Sequence, residues 1–155
     1  MVQITKLLSP QDQEDKILPI IQECLSDEED EERRMNSIIL IDELAESLGH
    51  EICKNHLMYD FVSLQDDPSF KIRKEMVSRL IRFSQTLGEK IFIGVIIPVF
   101  RKLSQDQIWS VRKACVEILP EVSQIASEEV KNSQILQLFD KFSKDSSKWV
   151  KMAAF

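Results

Sequence analysis

An interval of 39 residues recurs along this chain and limits the folds that it can adopt. Three kinds of residue repeat at that interval, and these are the aspartates Asp67, Asp106 and Asp145, the aliphatic residues Ile72, Val111 and Val150, and the cations Arg73, Arg112 and Lys151. A fixed period of this length is typical of a helical solenoid, in which each unit buries its apolar face only against its neighbours. Such a fold offers an extended surface rather than an enclosed cleft, so the period favours binding over catalysis.

Each unit contains two amphipathic segments. In the third unit, apolar residues at 89–103 recur at spacings of three and four, which predicts a first helix, A. A second apolar stripe, from Val111 to Val122, predicts helix B after a short turn. The same pattern elsewhere predicts an N-terminal extension at 1–10, repeats at 11–49, 50–88 and 89–127, and an incomplete repeat at 128–155.

The predicted fold is all-α, an α-α superhelix of about four units whose last unit is incomplete. Tetratricopeptide and ankyrin units are shorter, about 33 to 34 residues, whereas two-helix units near about 40 residues fit HEAT repeats. The turns leave no room for the third helix of armadillo units. Because the last unit stops within its second helix, at Phe155, we expect the chain to be part of a longer array.

Charge and cysteine content disfavour several classes of protein. The net charge of −6 argues against a duplex nucleic-acid binder, which needs a basic surface. The three cysteines form no CxxC pair and indicate reduced thiols in a cytoplasmic or nuclear protein. The longest apolar run, residues 91–100, is about half as long as a bilayer-spanning helix, so no membrane partner is expected.

No set of residues in the sequence indicates an enzyme. Cys53 and His56 lie three positions apart with His50 nearby, but a zinc site needs further ligands that the sequence does not place. A glycine-flanked serine and a phosphate-binding glycine loop are also absent from the sequence. We therefore expect no catalytic residue, no metal and no cofactor.

Six consecutive acidic residues, 27–32, precede helix B of the first unit. One interpretation is a solvated loop whose charges stabilise the N-terminus of the following helix. The alternative is an acidic patch that binds a basic segment of a partner, through an attraction that salt screens beyond about 10 Å.

The recurring aspartates and cations predict a structural ladder along the turns between helices A and B. An aspartate in the turn is a favoured N-cap for helix B, because its carboxylate can accept hydrogen bonds from unpaired amides. The aliphatic residue five positions later would enter the core, and the cation after it would reach an acceptor in the neighbouring unit. The predicted ladder consists of Asp67, Arg73, Asp106, Arg112, Asp145 and Lys151.

Two tandem tryptophan motifs carry a resemblance to a known family. They are Trp109-Ser-Val-Arg-Lys-Ala-Cys115, followed by Glu117-Ile-Leu-Pro-Glu-Val122, and Asp145-Ser-Ser-Lys-Trp-Val-Lys-Met-Ala-Ala-Phe155. From about Arg33 onward the chain is similar to HEAT repeats of the regulatory and scaffold subunits of protein phosphatase 2A-like serine/threonine phosphatases, those of protein phosphatase 4 in particular. Lys151 stands where that family has arginine, and Ser146 where it has proline.

The resemblance implies a non-catalytic subunit that holds a phosphatase catalytic subunit, of type 4 or type 2A, and presents substrates to it. In such scaffolds the turns between helices A and B form one ridge on which partners dock. On this chain the expected ridge is Asp67, Phe70, Asp106, Gln107, Trp109, Lys148 and Trp149. Exposed tryptophans are typical of binding hot spots. The alternative is that each indole only packs against the next turn.

Other roles are compatible with the same fold, since fold alone does not determine function. One alternative is a HEAT-repeat adaptor in transport or assembly with no link to a phosphatase. Another is a degenerate copy of such a scaffold that binds no partner.

Overall fold

The computed structural model describes residues 7–155, and these form helices joined by short turns, with no β-strand among them. The helices stack as A–B pairs. The A helices span 10–25 (α1), 50–63 (α3), 89–103 (α5) and 128–143 (α7), and the B helices span 31–48 (α2), Phe70–Leu87 (α4), Trp109–Ile125 (α6) and Lys148–Ala153 (α8). The fold is the all-α helical-repeat superhelix that the period predicts, and this prediction is confirmed.

Two glycines separate the first three helix pairs. The continuous helix Glu31–Ile52 is broken at Gly49, whose φ of 78° divides α2 from α3, and Gly88, with a φ of 82°, divides α4 from α5. Residues with a side chain rarely adopt a positive φ, so glycine is required at both positions. The break between α6 and α7 needs no glycine, because Ala126 and Ser127 have extended backbones.

The first A helix begins close to the start of the described residues. Pro10 is its first residue, and Ser9 is its N-cap, since the Ser9 hydroxyl accepts a hydrogen bond of 3.1 Å from the Asp12 N–H. Of the predicted N-terminal extension at 1–10, residues 1–6 lie outside the described residues.

Every A helix contains one π turn of five residues. The π turns are Gln13–Ile17, Cys53–Leu57, Phe92–Ile96 and Lys131–Ile135, and the last three lie at equivalent places in the repeat, whereas the first begins one residue earlier. A π turn accommodates one extra residue and shifts the apolar stripe around the helix. In α3 and α5 its first and last residues are both buried, so the turn keeps two core residues on one face. The spacings of three and four in the sequence did not predict these turns.

One apolar core runs through all the helix pairs. The B helices pack in succession, α2 on α4, α4 on α6 and α6 on α8, and each A helix covers the seam beside them. Five phenylalanines are completely buried along it, and these are Phe61, Phe83, Phe92, Phe100 and Phe142. The rings of Phe61 and Phe83 are 4.5 Å apart between centroids, which joins the second A helix to its own B helix. None of the helices formed by residues 7–155 is long and apolar enough to cross a bilayer.

Candidate protein-binding ridge

The turns between helices A and B share one local structure in the last three pairs. An aspartate three residues before the start of helix B accepts a hydrogen bond from the N–H of the second residue after it. The pairs are Asp67 Oδ1 with Ser69 N at 2.8 Å, Asp106 Oδ1 with Ile108 N at 2.8 Å, and Asp145 Oδ1 with Ser147 N at 2.7 Å. Each carboxylate therefore closes its own turn before the helix begins.

The prediction that these aspartates are N-caps of helix B is wrong. Ser69 is the N-cap of α4, and its hydroxyl accepts a bond of 3.3 Å from the Lys71 N–H. Ile108 and Ser147 precede α6 and α8 without any side-chain cap. The physical reason is that each carboxylate uses its remaining acceptor sites on an arginine of the preceding pair, so it is not free to bond amides inside the helix.

Two of the predicted ladder cations bind the next turn with two parallel hydrogen bonds. Arg73 donates to Asp106 through Nε at 2.7 Å and through Nη2 at 3.1 Å. Arg112 donates to Asp145 through the same atoms, at 2.7 and 2.8 Å. The third nitrogen, Nη1, donates to two carbonyl oxygens of the arginine's own turn, at 2.7 and 3.3 Å for Arg73 and at 2.7 and 3.1 Å for Arg112. Each guanidinium thus fixes its own turn and the next one.

Arg34 is a further ladder residue that the sequence analysis did not include. Its Nε and Nη2 donate to the Asp67 carboxylate at 2.8 and 3.3 Å, and its Nη1 donates to the carbonyl oxygens of Asp27 and Glu28 at 2.6 and 3.1 Å. The signal was present, because Arg34 precedes Arg73 by the same 39 residues. The pairs Arg34–Asp67, Arg73–Asp106 and Arg112–Asp145 are called the Arg–Asp ladder below.

Lys151 occupies the next position of the ladder but makes no rung. It follows Arg112 by 39 residues and is exposed. Within residues 7–155 its ammonium makes no hydrogen bond and no ion pair.

The ladder contacts favour the ionised form of the Asp106 and Asp145 carboxyls. The hydrogen bond from Arg112 lowers the pKa of the Asp145 carboxyl, and the hydrogen bond from the Ser147 N–H lowers it further. Burial acts in the opposite direction and raises this pKa, but the hydrogen bonds outweigh it. Burial opposes ionisation of Asp106 as well, but the hydrogen bonds from Arg73 and the Ile108 N–H outweigh it and hold the pKa of that carboxyl below its ordinary value. The pKa values of Arg73 and Arg112 are raised, first by the hydrogen bonds to Asp106 and Asp145.

The predicted ridge separates into two layers. Asp67 and Asp106 lie in the inner layer, where their side chains are 5% and 7% exposed and bound to arginines, so they are not open to a partner. The outer layer is exposed and consists of Phe70, Gln107, Trp109, Lys148 and Trp149, called the aromatic ridge below.

The two tryptophans of the aromatic ridge lie against each other and remain accessible. Their ring centroids are 6.4 Å apart with an angle of 32° between the planes. Trp109 is 43% exposed and Trp149 is 47% exposed. The ammonium of Lys148 lies 4.7 Å from the centroid of the Trp149 ring. The two indoles therefore pack against each other and also remain exposed to solvent. Their contact joins the turns of the third and fourth pairs into one aromatic surface.

Part of the acidic run at 27–32 has a local structural role. Asp27 accepts hydrogen bonds from the Glu29 and Asp30 amides, at 3.2 and 3.1 Å, and from Arg33 at 2.6 Å. Asp30 is the N-cap of α2 and accepts from the Glu32 and Arg33 amides, at 2.9 and 3.0 Å. These contacts favour the interpretation that the run stabilises the start of a helix.

Cys53 and Cys115 are buried apolar residues of the core. Burial raises the pKa of the Cys53 thiol to about 12, and burial also raises the pKa of the Cys115 thiol. Both thiols therefore stay protonated at neutral pH. In the part of the chain that the structure describes, no three of the His, Cys, Asp and Glu side chains are arranged to hold a metal ion.

Comparison with known families finds a HEAT repeat at residues 96–126. The matched segment runs from the middle of α5 to the end of α6, so it includes Asp106, Trp109 and Arg112. HEAT repeats mediate protein–protein interactions, and domains built from them are generally non-catalytic scaffolds. No curated protein matches the chain.

Proposed function

We propose that this chain is a non-catalytic protein-interaction scaffold whose partner docks on the aromatic ridge. The observation that carries the proposal is the pair of accessible, mutually packed indoles of Trp109 and Trp149 on turns that the ladder holds in place. Trp109 also lies inside the matched HEAT repeat. Tryptophan is among the residue types that contribute most to protein interfaces.

The buried ladder beneath the ridge favours tight binding. Arg112 holds its own turn and the next, and these two turns carry Trp109 and Trp149. Both indoles are therefore positioned before a partner arrives, and little conformational entropy has to be lost on association. A flexible loop with the same residues would bind more weakly for this reason.

The partner that we propose is the catalytic subunit of a protein phosphatase 2A-like serine/threonine phosphatase, of type 4 or type 2A. The chain would act as its regulatory or scaffold subunit in the cytoplasm or the nucleus. The support is the order and spacing of the motifs that begin at Trp109 and Asp145, which resemble motifs of regulatory subunit 1 of protein phosphatase 4.

A direct capture experiment tests both the docking surface and the identity of the partner. The immobilised chain is incubated with purified catalytic subunits of phosphatases 4 and 2A, and capture is compared between the natural chain, Trp109→Ala and Tyr59→Ala. Tyr59 is a matched control, because it is an aromatic residue on α3 that is 81% exposed and lies outside the ridge. We expect Trp109→Ala to weaken capture by more than about tenfold and Tyr59→Ala to leave it unchanged.

Thermal unfolding separates binding from folding in the same variants. Leu103 is 1% exposed, so Leu103→Ala removes a core side chain and should lower stability by about 2–5 kcal/mol. Trp109→Ala should lower the melting temperature far less. If the two variants unfold equally early, the loss of capture reflects unfolding and the hot-spot proposal is abandoned.

A HEAT-repeat adaptor without a phosphatase partner is the second candidate. The family match favours it, because the HEAT repeat at 96–126 is common to scaffolds with many kinds of partner. Failure to capture either catalytic subunit, with ridge-dependent capture of a transport or assembly component, would select this candidate.

A further inference from the structure

The aromatic ridge has an unusual charge balance where the third and fourth turns meet. In the segments 104–113 and 143–155 the only side-chain carboxylates are those of Asp106 and Asp145. Both are already bound to ladder arginines, with side chains 7% and 10% exposed. The two segments that carry the indoles therefore present no free side-chain carboxylate, although the whole chain has a net charge of −6.

Two cations of the same surface have no carboxylate partner in the described part of the chain. Lys148 and Lys151 are both exposed and lie three positions apart on α8, so they project from the same side of that helix. The other lysines nearby are neutralised, since Lys113 pairs with Glu117 and Lys144 pairs with Asp140. Lys148 and Lys151 are thus available to an acidic group from outside.

The indoles add two further hydrogen-bond donors. The indole N–H of Trp109 and that of Trp149 bond to no acceptor within residues 7–155. An indole nitrogen can donate but cannot accept. Together with the two ammonium groups, the patch offers donors and apolar ring surface.

We propose that the segment docking on Trp109 and Trp149 is an acidic peptide stretch of the partner, with carboxylates on either side of an apolar side chain. The apolar side chain would lie on the paired indoles, and the carboxylates would accept from Lys148, Lys151 and the indole N–H groups. This inference rests on the proposed function, because it names the chemistry of the segment that binds the ridge.

Intrinsic fluorescence gives a direct test, because both tryptophans of the chain lie in the patch. The probe is a synthetic peptide of glutamates around a central phenylalanine, which itself contains no tryptophan. A second peptide has glutamine at every glutamate position. Titration of the glutamate peptide should shift tryptophan emission to shorter wavelength and saturate, and the glutamine peptide should bind at least about tenfold more weakly.

A pair of charge-reversal variants controls for net charge. Lys148→Glu with Lys151→Glu should weaken binding of the glutamate peptide by at least about tenfold. Lys54→Glu with Lys90→Glu changes the net charge equally, on exposed lysines of α3 and α5 that make no ion pair among the described residues, and should leave binding nearly unchanged. Equal weakening in both double variants, or equal binding of the two peptides, would overturn the inference.

Two further results separate this inference from its alternatives. Sedimentation of the chain alone should show a monomer at all concentrations. An oligomer that dissociates in the Lys148→Glu, Lys151→Glu variant would make the acidic run 27–32 of a second copy the occupant, and would overturn the inference of a partner segment. If Trp109→Ala abolishes capture of the phosphatase but the lysine reversal does not, the acidic-segment inference fails while the proposed function stands.

Discussion

At the scale of single residues, each rung of the Arg–Asp ladder depends on the guanidinium of one arginine. Arg34, Arg73 and Arg112 each bind two turns through three nitrogens, and their carboxylate partners are almost completely buried. The planar fork of the guanidinium makes this possible, since a single ammonium cannot bond a carboxylate and two carbonyl oxygens in these directions.

The ladder arginine is therefore expected to be intolerant of lysine. Arg112→Lys keeps the charge but loses most of the bonds to Asp145 and to the carbonyl oxygens of Asp106 and Gln107. We expect the free energy of unfolding to fall by about 1–3 kcal/mol, measured by urea titration. Arg101→Lys is the control, because Arg101 is exposed and, among residues 7–155, its guanidinium bonds only the Gln134 amide oxygen, and it should change stability by less than about 0.5 kcal/mol. A similar loss in both variants would contradict the importance of the fork.

At the scale of the elements, backbone geometry determines where one helix pair ends and the next begins. Gly49 and Gly88 have nearly the same φ, 78° and 82°, and nearly the same ψ, 173° and 168°. This conformation is favourable almost only for glycine. The two glycines are therefore required by the backbone and not by packing, because a β-carbon at either one would meet no atom within 4 Å.

Alanine substitution separates backbone strain from crowding. Gly88→Ala should lower the free energy of unfolding by about 1–3 kcal/mol, through strain alone. Gly94 is the matched control, because it lies within a helix and a β-carbon there would also meet nothing within 4 Å. Gly94→Ala should be neutral or stabilising, since alanine is favoured over glycine in helices. Chemical denaturation of both variants measures the difference, and equal effects would contradict this account.

At the scale of the whole molecule, the ladder couples successive helix pairs through ionised groups. The pKa of the Asp106 and Asp145 carboxyls is lowered from its ordinary value of 3.8 in the folded chain. A lowered pKa in the folded state contributes stability that is present above 3.8 and is lost as the pH falls below it, because the unfolded chain then binds protons more readily.

Acid should therefore weaken the stacking of the pairs. We expect the urea midpoint of the natural chain to fall as the pH is lowered below the ordinary aspartate pKa of 3.8. Asp106→Asn should be less stable at neutral pH and should show a smaller decrease over the same acid range, because one of the linked carboxyls is gone. An identical pH dependence in the two proteins would show that Asp106 does not contribute to it.

The contact between Trp109 and Trp149 does not follow from the 39-residue interval. At the 39-residue interval, Lys148 and not Trp149 occupies the position of Trp109. The interval alone therefore does not predict that the two indoles touch. The turn conformation and the stacking of α6 on α8 bring the rings to 6.4 Å.

The sequence by itself determined the all-α fold, the pairing of helices and the positions of five of the six residues of the Arg–Asp ladder, because these follow from apolar periodicity and from a repeated motif. Only the tertiary structure decided which partners the ladder groups have, that the aspartates are not helix caps, and where the π turns lie. The physical reason is distance along the chain. Each ladder bond joins residues 33 positions apart, and whether they meet depends on how one helix pair stacks on the next.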